Sequence, residues 1–228
     1  MILNRASWQG AKAPSPGHSP PSERLYGCAV TDAQTARRQQ NRRGEGEQLR
    51  GEIMRAALGV LDDSGSVEAV TLRGVARAAG ITAPAIYSHF SSLKSLLVAL
   101  RDAAYDQVLA ESNAAATAAS TPAAALISRC TTYVELGIKY PARRQLMYAP
   151  IGDSSNKSGA IAFAALVAAL DECVRQGLSR SIDTRADAAI LIAALHGIAA
   201  TRTTSMFPLP PLPEAIRQIT SRITRLSE

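Results

Sequence analysis

Residues 71–90 read "TLRGVARAAGITAPAIYSHF". Thr71 can cap a helix whose Leu72, Val75, Ala76 and Ala79 share one face. Gly80 breaks that pattern. Thr82 can cap a second helix, and Pro84 is tolerated in its first turn, where amide hydrogens lack helical partners. Ile86 and Phe90 then face inward together. With so few residues between them the two helices cannot be collinear. They meet at a tight angle around Ala79, Gly80 and Ile81. Ala76, four residues before Gly80, is small enough for close approach. Gly80 permits positive φ in the turn, and Ile86, six residues later, plugs the angle. The pattern is that of a helix-turn-helix. The competing reading is any small helical hairpin.

The flanks continue the helical theme. Over 47–63, Leu49, Ile53, Ala56, Ala57, Val60 and Leu61 form one apolar stripe. "DDSGS" ends it, with Gly65 suited to a left-handed cap. A fourth helix is expected over 92–111, with Leu93, Leu96, Leu97 and Leu100 as its stripe. Further helices are expected over 121–139 (Thr121 cap, Pro122 first), 142–148, 158–176, 185–203 and 214–226. Gly177 fits the end of one. "FPLPPLPE" at 207–214 reads as a rigid linker rather than a helix.

Composition agrees. Of 228 residues 46% are hydrophobic, but aromatics are only 4% and alanine dominates. That balance favours closely packed helices over sheets. The expected fold is all-α. A helix-turn-helix DNA-binding domain over 45–92 precedes a C-terminal helical bundle over 93–228 for ligand binding and dimerisation.

The remaining segment, 1–44, is rich in Pro, Ser, Gly, Gln and Arg and is expected to be disordered. Its lack of any packable pattern raises the alternative that it lies upstream of the natural start. Detection of residues 1–29 in the native protein by mass spectrometry would dismiss that alternative. The chain carries a net +6, and basic residues exceed acids by four within 1–50. A local basic excess suits a polyanion such as nucleic acid, or else a solubilising tail. "LYGC" at 25–28 lacks the preceding apolar stretch of a lipoprotein signal, and no run of about 18 apolar residues exists to span a membrane. Cys28, Cys130 and Cys173 are scattered without CxxC spacing, which argues against a disulfide framework or zinc site and for a reducing cytoplasm.

In a helix-turn-helix the second helix enters the major groove and its first turn meets base edges. Here that turn is Thr82, Ala83, Pro84 and Ala85. It offers no Arg, Lys, Asn or Gln for bidentate pairing with guanine or adenine. Readout would rest on the Thr82 hydroxyl, apolar contact with thymine methyls and DNA shape. Arg73 is the candidate for a further base or phosphate contact. Tyr87 and His89 point outward if Ile86 and Phe90 are buried, and with Thr71 they can hydrogen-bond phosphate. Taken alone, His89 is a surface histidine with no task; within "YSHF" the phosphate role is preferred.

These residues resemble the TetR family of bacterial transcriptional repressors, in "TLRGVARAAGI" followed by "APAIYSHF", over about 49–100. "YPARRQLMYAP" at 140–150 and "LHGIA" at 195–199 resemble the subgroup named for a C-terminal Trp-His-Gly element, with Leu195 in place of the Trp. Lysine usually stands three residues after the Phe of the family's DNA-binding element. Here position 93 is leucine and Lys94 follows, as a candidate substitute. The resemblance implies a bacterial, cytoplasmic homodimer on a near-palindromic double-stranded operator, with half-sites about 34 Å apart or a multiple. The last two helices would form the dimer interface. A small molecule entering the C-terminal domain would shift the reading heads and release the DNA.

Independently of the resemblance, Tyr133, Met147, Tyr148, Phe163 and His196 are candidate effector-binding residues on C-terminal helices. The competing reading is plain core packing, with His196 as a hydrogen-bonded interface residue. No catalytic, metal or cofactor site is expected. Only three histidines exist (His18, His89, His196), and HExxH, GxSxG and a phosphate loop are absent. A non-specific nucleic-acid binder driven by the arginine-rich arm is the rival class, opposed by the large C-terminal half.

Overall fold

The computed structural model describes residues 46–152, 155–204 and 208–227. The arm at 1–44, with His18 and Cys28, lies outside the described residues. Among them stand nine helices and no strand, in the order α1 Gly46–Ser64, α2 Leu72–Ala78, α3 Ala83–Tyr87, α4 Leu93–Thr117, α5 Pro122–Lys139, α6 Pro141–Tyr148, α7 Lys157–Arg175, α8 Thr184–Thr204 and α9 Leu212–Thr224. The all-α expectation holds.

Local chemistry sets most boundaries. Thr71 is the N-cap of α2, and its Oγ1 accepts the Gly74 amide at 3.0 Å. Ser92 and Ser95 form a reciprocal capping box at the start of α4. Gly65 and Gly80 both sit at φ +66°, where an L side chain is strained, and each lets the chain leave a helix sharply. Three expectations need correction. Thr82 occupies the N-cap position of α3, but its side chain makes no capping hydrogen bond. Helix α4 runs on to Thr117 rather than stopping near 111, because "SNAAAT" offers strong alanine propensity and no Gly or Pro breaker. The proline-rich linker is shorter than expected: Leu212, Pro213 and Glu214 are already the first turn of α9, where a proline without an amide hydrogen costs nothing. Position 207 lies outside the described residues.

Two apolar clusters result. The first joins Ile53, Ala57 and Leu61 of α1 to Val75 and Ala76 of α2, Ile86 of α3, Phe90, and Leu96 and Leu100 of α4. The second gathers Leu126, Cys130, Tyr133 and Val134 of α5 with Leu170, Cys173, Leu191, Leu195 and Ile216. Two helices serve both. Helix α4 gives Ala104 and Tyr105 to the second cluster. Helix α6 gives Ala142 and Leu146 to the first and Met147 to the second. No described helix is long and apolar enough to cross a membrane.

Candidate functional site

The helix-turn-helix hairpin is built from α2 and α3. Val75, Ala76, Ile86 and Phe90 are buried, so the opposite faces are presented outward. The amide of Ile81 donates to Ala76 O at 3.0 Å and that of Gly80 to Arg77 O at 3.1 Å, closing the turn. Thr71, Arg73, Thr82, Pro84 and Lys94 are exposed, Tyr87 is 55% exposed, and Ala83, Ala85 and His89 are half-buried. Thr71 accepts the Gly74 amide through its oxygen, leaving its own hydroxyl hydrogen to donate.

The hairpin carries a support that the sequence reading missed. Arg50 of α1 donates from Nη1 to the His89 carbonyl at 2.9 Å and lies 4.2 Å over the Phe90 ring. It therefore holds the end of α3 by a charge-assisted bond and a cation–π contact. Lys94, at the start of α4, is exposed. Its chain lies along the α6–α7 loop, where a Cβ added at Gly152 would stand 2.6 Å from Lys94 Nζ.

Behind the hairpin, between α4, α5, α6, α7 and α8, lies a cavity of about 580 Å³. Tyr133, Met147, Tyr148 and Phe163 line it. His196 does not; it stands behind the tyrosines. The Tyr133 and Tyr148 hydroxyls are 2.7 Å apart, the Tyr148 and His196 rings meet edge-on with centroids at 4.3 Å, and Arg144 Nη1 lies 3.4 Å from His196 Nε2. Burial first, and the neighbouring Tyr148 second, hold the Tyr133 phenol well above its ordinary range, so it remains neutral. Burial and then Arg144 lower the His196 pKa. Cys130, also on the wall, is pushed by burial to about 12 and is a plain thiol.

Helix α6 connects cavity and hairpin. Met147 and Tyr148 face the cavity, while Ala142 and Leu146 pack in the first cluster. On the same helix Arg143 grips Asp62 of α1 through two nitrogens, Nε to Oδ1 at 2.8 Å and Nη2 to Oδ2. Arg143 and Asp62 lie 81 positions apart, so no local sequence pattern pairs them.

Two family models match. "Bacterial regulatory proteins, tetR family" matches residues 53–100, and "Tetracyclin repressor-like, C-terminal domain" matches 126–222. The chain belongs to the TetR family. It is thus a DNA-binding transcriptional regulator that responds to a ligand. The Trp-His-Gly subgroup gains no support from the TetR C-terminal match. A solved protein of unknown function from Rhodococcus sp. RHA1 is 26% identical, with 79% of this chain and 96% of that one covered and a TM-score of 0.69. The TetR-family regulator PfmR from Thermus thermophilus is 21% identical over 77% and 98%, with a TM-score of 0.55. A TetR-family regulator from Marinobacter aquaeolei VT8 is 16% identical over 81% and 97%, with a TM-score of 0.62. The last two likenesses are of fold. No curated protein sequence matches the chain.

Proposed function

We propose that this TetR-family chain is a repressor, acting as a cytoplasmic homodimer on a near-palindromic operator and released from it by a small molecule. The observation that carries the reading is that α6 walls the cavity with Met147 and Tyr148 and packs into the hairpin's own core with Ala142 and Leu146. A ligand that displaces the cavity end of α6 acts directly on the element braced against α1. For release, the ligand must bind the displaced arrangement more tightly than the DNA-bound one.

In this reading 45–92 is the DNA-binding domain and 93–228 the effector and dimer domain, with 1–44 as a basic arm. Thr82, Ala83, Pro84 and Ala85 meet base edges. Thr71, Tyr87, His89 and Lys94 hold phosphates, and Arg73 meets a base or a phosphate. Tyr133, Met147, Tyr148 and Phe163 contact the effector, and His196 acts through the tyrosines. A second copy is favoured by α8, whose outward face carries Ala186, Ala189, Ala193 and Gly197 beside Ile190, which is 57% exposed. No catalytic role is assigned to any residue. Competition tests the reading. At about 150 mM salt, an excess of random duplex should not displace the dimer from its preferred sequence, whereas a purely electrostatic binder would be displaced.

A further inference from the structure

The cavity holds one group that its neighbours do not satisfy. Arg101, on α4, is 2% exposed and lines the cavity. Its Nη2 donates to the Ser155 carbonyl at 3.1 Å. Its Nε has no hydrogen-bond partner; of the buried atoms in that condition among the described residues, it is the one on the cavity. No acidic side chain is among the described residues lining the cavity. A guanidinium cannot relieve burial by losing its proton, as a lysine can. The phenols cannot supply the missing charge, since burial raises the pKa of Tyr105, Tyr133 and Tyr148 alike.

The other polar groups nearby are already committed. Tyr105 Oη donates to the Met147 carbonyl at 2.9 Å and accepts from Asn156 Nδ2 at 3.0 Å. Asn156 Oδ1 accepts the Gly159 amide at 2.9 Å. Away from Arg101 much of the wall is apolar, with Val108, Leu109, Phe163, Leu166 and Ile192; its polar groups there are Ser112, Tyr133, Tyr148 and Arg129, whose Nη1 is already engaged with Asn113 Oδ1. From Arg101 to Ser112 the wall follows α4 for about 16 Å, at ~1.5 Å per residue.

We infer that the effector is an amphipathic anion whose carboxylate pairs with Arg101 and whose long apolar body lies along α4 and α7. The inference rests on the cavity being the effector site. Arg101 follows Leu100 of the first cluster and precedes Ala104 of the second. An anion there would be held at the junction of the hairpin's core and the sensing half. A buried charge-assisted bond of this kind is little screened by salt.

Calorimetric titration of the full-length protein with dodecanoate and with dodecan-1-ol tests it. The acid should bind about tenfold or more tightly than the alcohol. Arg101→Met should bring the two within about twofold, and Arg101→Lys should keep part of the preference. Arg101→Met should fold, because an apolar replacement of a buried charge is commonly neutral or stabilising. Because both probes are measured on each variant, a general loss of cavity structure would weaken both and leave their ratio in place. Asp153 lies outside the described residues. Asp153→Asn should leave the acid preference standing, and a preference that arises only in that variant overturns the inference. Equal binding of acid and alcohol to the unaltered protein overturns the anion assignment alone. Binding of neither probe overturns it together with the cavity reading.

Discussion

Around Ile53, Ile86, Phe90 and Leu96 every buried side chain is apolar, whereas the interior around Tyr133 and Leu195 also holds Arg101, Ser112 and Arg144 and a cavity of about 580 Å³. Among the described residues, no buried polar or charged side chain precedes Arg101. A filled apolar core resists deformation and fixes one arrangement of α2 against α3. An interior with open volume and an unmatched charge leaves its arrangement to be selected by what enters. In the proposed function the first region reads DNA and the second senses the ligand, and α4 and α6, which serve both, couple them.

The largest expected difference between the regions is in the cost of truncation. Phe90→Ala should lose about 3–5 kcal/mol in chemical denaturation, since Phe90 is fully enclosed and also carries the Arg50 stack. Leu166→Ala, on the cavity wall, removes contacts on one side only and should cost less than about 2 kcal/mol. Equal costs would erase the distinction. Next in size is Gly80→Ala. A Cβ there meets nothing within 4 Å, so the whole penalty is backbone strain at φ +66°, about 1–2 kcal/mol. A larger loss would mean that the turn is more crowded than described.

A smaller pair of substitutions separates stability from recognition within the hairpin. Thr71→Ala removes a cap and should cost about 1 kcal/mol of stability. Thr82→Ala removes no capping bond, so its melting temperature should hold while its preference for the selected DNA over random duplex falls. Melting curves and anisotropy titrations on both variants decide this.

The smallest effect is a pH dependence confined to the sensing half. Burial first and Arg144 second lower the folded-state pKa of His196 below its unfolded value of about 6.5. As pH falls through 6.5 the unfolded chain takes up the proton first. The stabilisation present above that pH is therefore lost on acidification, until folded His196 itself protonates. Relative to His196→Gln, the unaltered protein should lose stability below about pH 6.5. A rising or flat difference would contradict the burial of the His196 ring.

The hairpin was legible because its instructions are local. Thr71, Gly80, Ile86 and Phe90 act within about five turns of chain, through capping, positive φ and helical period. The sensing half was legible only as helices. Tyr133, Met147, Tyr148 and Phe163 meet around one cavity through packing of five helices, which no periodicity encodes. Arg101 did leave a signal. It lies four residues after Leu97 and four before Tyr105, a charge set within the apolar stripe of α4. Arg50 and Arg143 left none, since an exposed-looking arginine on a helix says nothing about which distant carbonyl or carboxylate it meets.

The central claim is that α3 reads sequence as one head of a dimer. Selection of bound duplexes from a random pool, with purified full-length protein at about 150 mM salt, tests it most directly. The account predicts enrichment of a near-palindromic motif with half-sites about one helical turn, ~34 Å, or a multiple apart. No enrichment from a folded, dimeric protein would contradict it.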